Sequence, residues 1–370
     1  MTTTLPTWLG RVSRPTLVLD VDRARRNIER MAVKAKAAGV RLRPHFKTHQ
    51  SATIGGWFRE HGATGITVSS VDMARYFAEE GWRDITLAFP VNLRQLDEIN
   101  DLVRRIDLGL VVDDEETASV LGARLVEPAR IWIKVDTGYG RAGIDWSRSK
   151  RIARLAAAID GSGAGSFAGL LAHAGHSYHA RGRREILAIH DQTRSRLIEL
   201  RNWLLAAGVR RCELSIGDTP CCSVADSFEG IDEIRPGNYV FFDLTQLQLG
   251  SCEAEDLAVA VACPVVGVYP ERNQLVLYGG AIHLSKDSVL DHGTRLFGYL
   301  AQRTDNGWGA PDPRLPVSSL SQEHGVVSLE GADADDIQVG DVVLVLPVHS
   351  CLTVDLYDEY LTVDGLIRRR

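Results

Sequence analysis

The sequence predicts an α/β fold, a (β/α)8 TIM-like barrel followed by a second domain of mostly β structure. Eight short β-branched or apolar segments lie between residues 40 and 242, and helix-like segments separate most of them. Strands that alternate with helices are typical of parallel sheets, and eight repeats are typical of a closed barrel. An open doubly wound sheet gives similar local signals, so the number of strands decides between the two.

The predicted strands are defined by apolar and β-branched runs that are bounded by turn residues. In chain order they are 40–46, 65–70, 84–90, 108–112, 130–136, 167–173, 212–217 and 233–242. The run "PTLVLD" (15–20) precedes them and is a further strand that could pair with the barrel. Two of the helix-like segments, 72–81 and 183–208, each end at a glycine, which is a common helix terminator.

After about residue 250 the pattern of the sequence changes from alternating strands and helices to mostly strands. The segments 257–280 and 336–365 are strand-rich, are interrupted by Gly, Pro and Asn, and have little helical period. A chain of 370 residues is also longer than one ordinary core requires. We therefore expect a barrel domain over 15–250 and a C-terminal β domain over 251–370, with 1–14 as a segment that could pack on the latter.

Composition excludes several classes of protein. The net charge of -6 argues against a general nucleic-acid binder. The longest apolar run is too short to span a bilayer and contains a proline, and the N-terminal residues lack a secretory pattern. The six cysteines are irregularly spaced, which indicates reduced thiols rather than a disulfide framework. We expect a cytoplasmic protein that does not bind membranes.

The stretch "VRLRPHFKTHQS" (40–51) carries a dense row of basic residues. If it is extended, Arg43, His45, Lys47 and His49 share one side of the strand. Such a row is either a solvated edge or a face built around a negative ligand, because buried unpaired cations are costly. Lys47 ends the first barrel strand, where catalytic groups of barrels lie, so it is a candidate imine-forming amine; a solvated lysine is the alternative.

The segment "LSIGDTP" (214–220) places Ser215, Gly217 and Thr219 where a strand turns towards a helix. Small residues with free backbone N–H groups at such a turn suit a phosphate group. An ordinary structural turn is the alternative interpretation.

The segment "IRPGNY" (234–239) contains a second glycine turn of the same kind. It offers a glycine turn at Gly237 beside Arg235 and Tyr239. A structural turn is again the alternative.

Two other strand ends carry side chains suited to a ligand. "DTGYGRAG" (136–143) brings Arg141 on a loop, and "AHAGHSYHA" (172–180) brings His173 and Tyr178. This histidine-rich segment lacks the helical spacing of a zinc motif, so packing against a flat aromatic cofactor suits it better than a metal does.

The segment "LPVHSCLTVDLYDEY" (346–360) contains His349 and Cys351. Two residues apart in a strand, their side chains leave the same face, and a thiolate with an imidazole suits zinc. A buried cysteine beside a partly exposed histidine is the alternative.

Seven motifs together resemble one enzyme family. "RPHFKTHQS", "DTGYGRAG", "HAGHSY", "SIGDTP", "RPGNYVFFD", "SQEHG" and "HSCLTVDLYDEY" occur in matching order over residues 14–365. They are similar to the D-threonine aldolase and D-serine dehydratase group of pyridoxal-phosphate enzymes, which are of fold type III and have the alanine-racemase-like fold. The resemblance implies pyridoxal 5'-phosphate in the barrel, and a homodimer in which the partner's β domain helps to close the site.

The resemblance also implies roles for individual residues. Lys47 would form the Schiff base with the cofactor, and Arg235 would face its pyridine nitrogen. The phosphate would be held near Ser215, Gly217, Thr219, Gly237 and Tyr239. The cofactor and substrate would be lined by Arg141, His173 and Tyr178, and a divalent metal would be held by His349 and Cys351. Glu323 and His324 lie in a matching motif to which we assign no role.

The resemblance implies a lyase that acts on D-β-hydroxy amino acids. Loss of the β-hydroxyl would give a 2-oxo acid and ammonia, as in D-serine or D-3-hydroxyaspartate dehydratase, whereas retro-aldol cleavage would give glycine and an aldehyde. The thiolate ligand favours zinc over manganese or magnesium, and with it dehydration. An amino-acid racemase, with Tyr357 or Tyr360 as second acid/base, and a shorter non-catalytic cofactor carrier are the alternatives.

Overall fold

The computed structural model describes residues 9–163, 165–304, 307–329 and 337–370. Residues 1–8 lie outside this range, so the expected packing of 1–14 concerns residues 9–14 only. The strands of the described chain are β1 (Thr16–Leu19), β2 (Arg41–Leu42), β3 (Gly65–Val68), β4 (Asp84–Pro90), β5 (Asp107–Val112), β6 (Ala129–Asp136), β7 (Ile144–Asp145), β8 (Gly165–Ala172), β9 (Glu213–Ile216), β10 (Glu233–Ile234), β11 (Val259–Tyr269), β12 (Gln274–Tyr278), β13 (Val289–Asp291), β14 (Thr294–Leu296), β15 (Gly298–Thr304), β16 (Gly307–Leu320), β17 (His324–Ser328), β18 (Val342–Pro347), β19 (Glu359–Thr362) and β20 (Gly365–Arg368).

Helices separate the strands of the first part of the chain. The α-helices are α1 (Val21–Ala37), α2 (Ala52–Glu60), α3 (Val71–Glu79), α4 (Leu96–Val103), α5 (Glu115–Arg124), α6 (Ser149–Gly161), α7 (Arg183–Ala206), α8 (Thr219–Val224), α9 (Leu244–Leu249), α10 (Ala281–Leu284) and α11 (Ser350–Val354). The helices predicted over 72–81 and 183–208 correspond to α3 and α7. None of the described helices is both long and apolar enough to cross a membrane.

The eight predicted strands form a parallel barrel. Their order in the sheet is β2-β10-β9-β8-β6-β5-β4-β3, and the short β7 pairs with β6 outside this path. A parallel bridge between His45 and Thr67 joins the two ends and nearly closes the sheet. The first barrel strand, β2, is therefore a neighbour of both the last strand, β10, and the second strand, β3. Only a closed sheet has this arrangement, so the α/β-barrel prediction is confirmed.

One glycine shows how closely neighbouring strands approach. Gly169 in β8 has φ +155°, and a Cβ there would lie 2.0 Å from the carbonyl oxygen of Glu213. The pairing between β6 and β8 shifts register beside it, between Ile131 and Trp132. A larger residue would therefore push β9 away from β8 at this point.

The rest of the chain builds a mainly β unit, as the sequence predicts. Its sheet has the order β12-β17-β16-β15-β18-β11-β1-β19-β20, and β11 also pairs with β12. Six of these strands therefore close into a small barrel. β1 lies antiparallel to β11 and parallel to β19, so the interpretation that residues 15–20 pair with the α/β barrel is wrong.

The chain divides into two compact units by its contacts. One extends from Glu29 to Gly237, and the other contains the described residues before and after that segment. We refer to them as the α/β unit and the β unit. These bounds differ from the sequence-based 15 and 250, because β1 and the segment 238–250 belong to the β unit.

The last predicted barrel strand is shorter than 233–242. Only Glu233–Ile234 pairs as a strand, and a short 3-10 helix, Asn238–Val240, follows. Pro236 lies between them and has no N–H to donate to a ladder, which ends the strand. The chain thus turns immediately after Arg235.

The row of basic residues is divided, so the prediction that it faces one negative ligand is wrong for two of its members. Arg43 is 5% exposed and bonds to the carboxylates of Glu233 (2.6 Å) and Asp84 (2.7 Å). Residues 46–49 form turns, so the two-residue alternation stops after His45. His49 is fully buried against Phe46 and Phe58. Of the row, His45 and Lys47 remain at the carboxyl end of the barrel.

Candidate active site

The predicted cofactor residues of the α/β unit lie on strands that are neighbours in the sheet. β2, β10, β9 and β8 follow one another in it, and β6 comes next. At or just beyond their carboxyl ends lie Lys47, Arg235, Gly217 and His173, while the buried Lys134 lies near the end of β6. The carboxyl ends of parallel barrel strands meet at one face, so these side chains form one candidate site.

Lys47 lies in the turn after the closing bridge at His45. Its backbone N–H contacts Nδ1 of His45 at 3.3 Å, and its side chain is exposed. The structure therefore presents the amine at the carboxyl face of the barrel, where a ligand can reach it.

Basic groups converge around this turn. Burial and the positive charges of Lys47 and Arg235 lower the pKa of His45 well below its ordinary 6.5. The pKa of His173 is also lowered well below 6.5, by burial and by the charge of Lys134. Both imidazoles are therefore neutral at pH 7.

Arg235 is held rigidly in the barrel interior. Its Nε donates to Ser215 Oγ at 2.7 Å and its Nη2 to the carbonyl of Ala172 at 2.6 Å. Ser215 Oγ in turn donates to Glu233 at 2.7 Å, so the hydroxyl supports the guanidinium. Burial lowers the pKa of Arg235 to about 10, which keeps it charged at neutral pH.

The turn after β9 contains an unsatisfied hydroxyl. Thr219 is fully buried, and among the described residues its Oγ1 has no hydrogen-bond partner. Its backbone N–H donates to the hydroxyl of Tyr178 at 3.3 Å. A Cβ at Gly217 would lie 2.8 Å from the carbonyl oxygen of Arg235, so this turn needs a glycine. A buried hydroxyl that lacks an acceptor fits a phosphate oxygen, as the sequence predicts for this turn.

Two loops border the turn. The carboxylate of Asp136 accepts hydrogen bonds at 2.9 Å from the N–H groups of residues 138, 139 and 140, which holds the loop of Arg141 in place. The exposed guanidinium of Arg141 lies over the ring of Tyr139 at 5.0 Å. His173 lies 5.8 Å from the same ring, and its Nδ1 is 2.5 Å from the carbonyl oxygen of Gly217. These side chains offer a cation and flat rings to a ligand.

Two predicted phosphate residues lie in the turn after β10. A Cβ at Gly237 would meet the carbonyl oxygen of His45 at 2.8 Å, so β10 and the Lys47 turn approach closely through this glycine. Tyr239 lies in the 3-10 helix Asn238–Val240 and is fully buried.

Sequence reasoning missed Lys134. It lies in β6 with 7% of its surface exposed, and burial together with the charges of Arg235 and Arg141 lowers its pKa to about 7. The signal was present, because lysine is rare in this chain and "RIWIKVD" places one inside an apolar strand.

We predict that Lys134 makes stability depend on pH. Between about pH 7 and the ordinary lysine pKa of 10.5, the unfolded chain binds this proton and the folded chain does not. Stability should therefore rise with pH in that window, by about 1.4 kcal/mol per pH unit, relative to the Lys134→Met variant. Urea unfolding of both ligand-free proteins at several pH values measures the difference. Parallel pH profiles would contradict the prediction.

His349 and Cys351 come together in the β unit, although not in a strand. β18 ends at Pro347, and His349 is the N-cap residue of α11, so the strand alternation invoked for the pair is wrong. The imidazole is half-buried, and its Nδ1 lies 2.7 Å from Asp287 Oδ2. The Cys351 thiol is partly exposed and accepts from the Asn238 amide at 3.6 Å.

An imidazole, a thiol and a carboxylate lie together at this pair. Burial lowers the pKa of His349, but the hydrogen bonds with Asp287 and Cys351 outweigh burial and raise the pKa to about 11. Among the described residues no group of three or more His, Cys, Asp and Glu is arranged to hold a metal. The protein donors are therefore one imidazole and one thiol, a set that suits zinc and leaves its other positions to water or a ligand.

The side chains considered for other roles have structural partners. Glu323 lies 3.9 Å from His283 Nε2, and His324 begins β17 and is exposed. The phenol of Tyr357 donates to the carbonyl of His283 at 3.0 Å, and burial raises its pKa well above 10.0. Tyr360 is fully buried and packs on Phe241.

Two family models match the chain. Residues 19–245 match the model described as "Alanine racemase, N-terminal domain". Residues 258–363 match the "Putative serine dehydratase domain". Together they cover most of both units.

Curated proteins resemble the chain over nearly its full length. It is 33% identical to D-threo-3-hydroxyaspartate dehydratase from Delftia sp. (strain HT23), over 96% of this chain and 95% of the relative. It is 30% identical to D-serine dehydratase from Dictyostelium discoideum (94% and 92%) and 28% identical to D-threonine aldolase from Arthrobacter sp. (97% and 91%).

The solved structure of the Delftia enzyme superposes with a TM-score of 0.91, at 31% identity over 98% of both chains. A cysteine-to-alanine variant of that dehydratase was solved in a metal-free form and gives a TM-score of 0.90. The fold is therefore shared over both units.

Proposed function

Because this chain belongs to the pyridoxal-phosphate-dependent family of D-serine dehydratases, D-threo-3-hydroxyaspartate dehydratases and D-threonine aldolases, it is a lyase of D-β-hydroxy amino acids; we propose that it removes water from them to give a 2-oxo acid and ammonia. A thiol-containing metal pair supports dehydration over retro-aldol cleavage, and so does the 33% identity to a dehydratase over nearly the whole chain.

The observation that carries the cofactor assignment is the convergence of basic groups in the α/β unit. Lys47, Lys134, Arg141 and Arg235 lie at one face of the barrel around two neutral imidazoles. A phosphate, a phenolate oxygen and a substrate carboxylate would supply the missing negative charge. Pyridoxal 5'-phosphate, when bound, withdraws electrons from the Cα of the amino acid.

We assign the chain's own groups as follows. Lys47 Nζ would hold the cofactor through its aldehyde and would accept the Cα proton of the amino acid. Thr219 Oγ1 and the turn at Gly217 would hold the phosphate, with Ser215, Gly237 and Tyr239 in support, and Arg235 would face the pyridine nitrogen. Arg141, His173 and Tyr178 line the cofactor and substrate.

His349 and Cys351 are proposed to hold a divalent metal, with zinc favoured over manganese or magnesium by the thiolate. A metal there supplies Lewis acidity towards a hydroxyl group. The metal-free form of the relative's cysteine variant supports a cysteine ligand in this family.

Three further proposals concern organisation. The α/β unit is proposed to bind the cofactor and the β unit to carry the metal pair. A homodimer is expected from the family resemblance, and sedimentation of the purified protein tests it. The six cysteines, all within the described residues, form no disulfide, which suits a reducing compartment such as the cytoplasm.

Product analysis tests the proposed reaction. D-serine, D-threonine and D-3-hydroxyaspartate are each incubated with the enzyme, with and without added zinc or manganese. We expect a 2-oxo acid and ammonia in equal amounts, measured by reduction with a suitable dehydrogenase and by an ammonia assay. Glycine or its analogue with an aldehyde would identify an aldolase instead.

A racemase is the remaining alternative. Conversion of D- to L-amino acid that survives a chelator would identify it. The structure disfavours Tyr357 and Tyr360 as its second acid/base, because one phenol is bonded to a carbonyl and the other is fully buried.

A further inference from the structure

One carboxylate of the β unit contacts a proposed metal ligand and has no assigned role. Asp287 Oδ2 lies 2.7 Å from Nδ1 of His349. It is far from His349 in sequence, and its side chain is 48% exposed. A solvated carboxylate needs no such partner, so the contact is not required to satisfy a buried charge.

The backbone before Asp287 adopts an unusual conformation to place it there. Ser285 ends α10 with φ +67° and ψ 174°, a region that residues with a Cβ rarely occupy. The hydroxyl of Ser285 accepts a hydrogen bond from the Asp287 N–H at 3.3 Å, which fixes the two-residue turn. Strained backbone that persists beside a set of chemical groups is characteristic of functional sites.

The other member of the pair is held by a separate buried network. Asp243 Oδ2 accepts from the Asn238 amide (2.6 Å) and from the N–H of Ser350 (3.0 Å). The same Asn238 amide reaches Ser350 Oγ at 2.9 Å and Cys351 Sγ at 3.6 Å. This network fixes the 350–351 backbone and the thiol, and the thiol in turn hydrogen-bonds to His349. Asp287 is the carboxylate that contacts the imidazole directly, at Nδ1.

We propose that Asp287 is a positioning residue that orients His349 as a metal ligand, and this proposal rests on the metal pair of the proposed function. By accepting the Nδ1 proton, the carboxylate fixes the tautomer in which Nε2 carries a lone pair for the metal. It also makes the imidazole a more basic donor. The strained turn at Ser285 positions this carboxylate beside His349.

The test measures metal affinity rather than turnover. Metal-stripped wild-type protein and the Asp287→Asn and Asp287→Ala variants, with cofactor present, compete with a chromophoric chelator for Zn²⁺. We expect both variants to bind Zn²⁺ about 10–100-fold more weakly than wild type, the usual effect of losing such a partner. Asp287→Glu should recover part of the affinity. Circular dichroism confirms that each variant is folded. If Asp287→Ala does not fold, Asp287→Asn alone is compared with wild type.

The matched control is Asp291→Asn, which removes a carboxylate from the neighbouring strand β13. Asp291 accepts from the Tyr299 hydroxyl at 2.6 Å, and that contact does not involve His349. It should leave Zn²⁺ affinity unchanged. Co²⁺ titration gives a second readout, because altered ligand orientation changes the visible spectrum of bound Co²⁺.

The outcomes separate this proposal from the one it rests on. Equal Zn²⁺ affinity for wild type and both Asp287 variants would overturn the role of Asp287 and leave the metal pair standing. If wild type bound no more Zn²⁺ than a His349→Ala variant, both the metal pair and the role of Asp287 would be contradicted. The 2-oxo acid and ammonia assay would still decide the reaction by itself.

Discussion

The Lys47→Ala variant should lose the visible absorption band of the bound cofactor and at least about 10²–10⁴-fold of its lyase activity, the range for loss of a proton-transferring group. The loss is expected to be larger still, because the same amine is proposed to hold the cofactor covalently. Lys47 is exposed at the carboxyl face of the barrel, so removing its side chain should not disturb the core. Absorption spectra of the purified variant and ammonia release from D-serine measure the two effects.

Two variants separate the chemistry of the amine from its charge. Lys47→Arg keeps a positive charge but cannot give up a proton near neutral pH, so we expect it to be as inactive as Lys47→Ala. Lys150→Ala removes another exposed lysine, on α6, and should retain both absorption band and activity. An active Lys47→Arg enzyme would reduce Lys47 to an electrostatic role. An unchanged absorption band in Lys47→Ala would show that Lys47 is not the residue that binds the cofactor.

The second large effect is expected at the metal pair. Cys351→Ala and His349→Ala should each lose bound metal, measured by elemental analysis, and about 10³-fold of dehydratase activity. A Lewis acid supplies several kcal/mol of transition-state stabilisation, and each 1.4 kcal/mol is a factor of ten in rate. The cofactor band should persist in both variants, because the pair lies outside the set of residues assigned to the cofactor.

His292→Ala is the matched histidine control, since its side chain is 98% exposed. It should keep its metal and its activity. If wild-type enzyme freed of metal by a chelator retained full dehydratase activity, the metal would have no part in the reaction. The aldolase and racemase outcomes would then be examined with the same protein.

The sequence predicted the barrel strands because each of them is a local signal. A short apolar run between turn residues has the same appearance in sequence wherever the strand lies in the sheet. The eight runs were therefore located, and Lys47, Gly217 and Arg235 were placed at strand ends from local pattern alone. Their convergence followed from a general property of parallel barrels.

The errors arose where distant residues decide the conformation. Alternation predicted one basic face over residues 43–49, but Glu233 and Asp84 draw Arg43 into an ion-pair network, and the turn at 46–49 sends His49 into an aromatic cluster. Alternation likewise predicted a strand at His349, which instead caps a helix. Arg43 and Glu233 are 190 residues apart in the sequence. The alternation of residues within one segment carries no information on so distant a partner.

The sequence alone determined the barrel, the β domain and the family, because these follow from local periodicity and from motifs in a fixed order. Only the tertiary structure decided which polar groups meet. It paired Asp287 with His349, buried Lys134 among arginines and assigned residues 15–20 to the β unit. Hydrogen bonds and pKa shifts depend on distance and burial in three dimensions, and neither quantity is encoded in the spacing of residues along the chain.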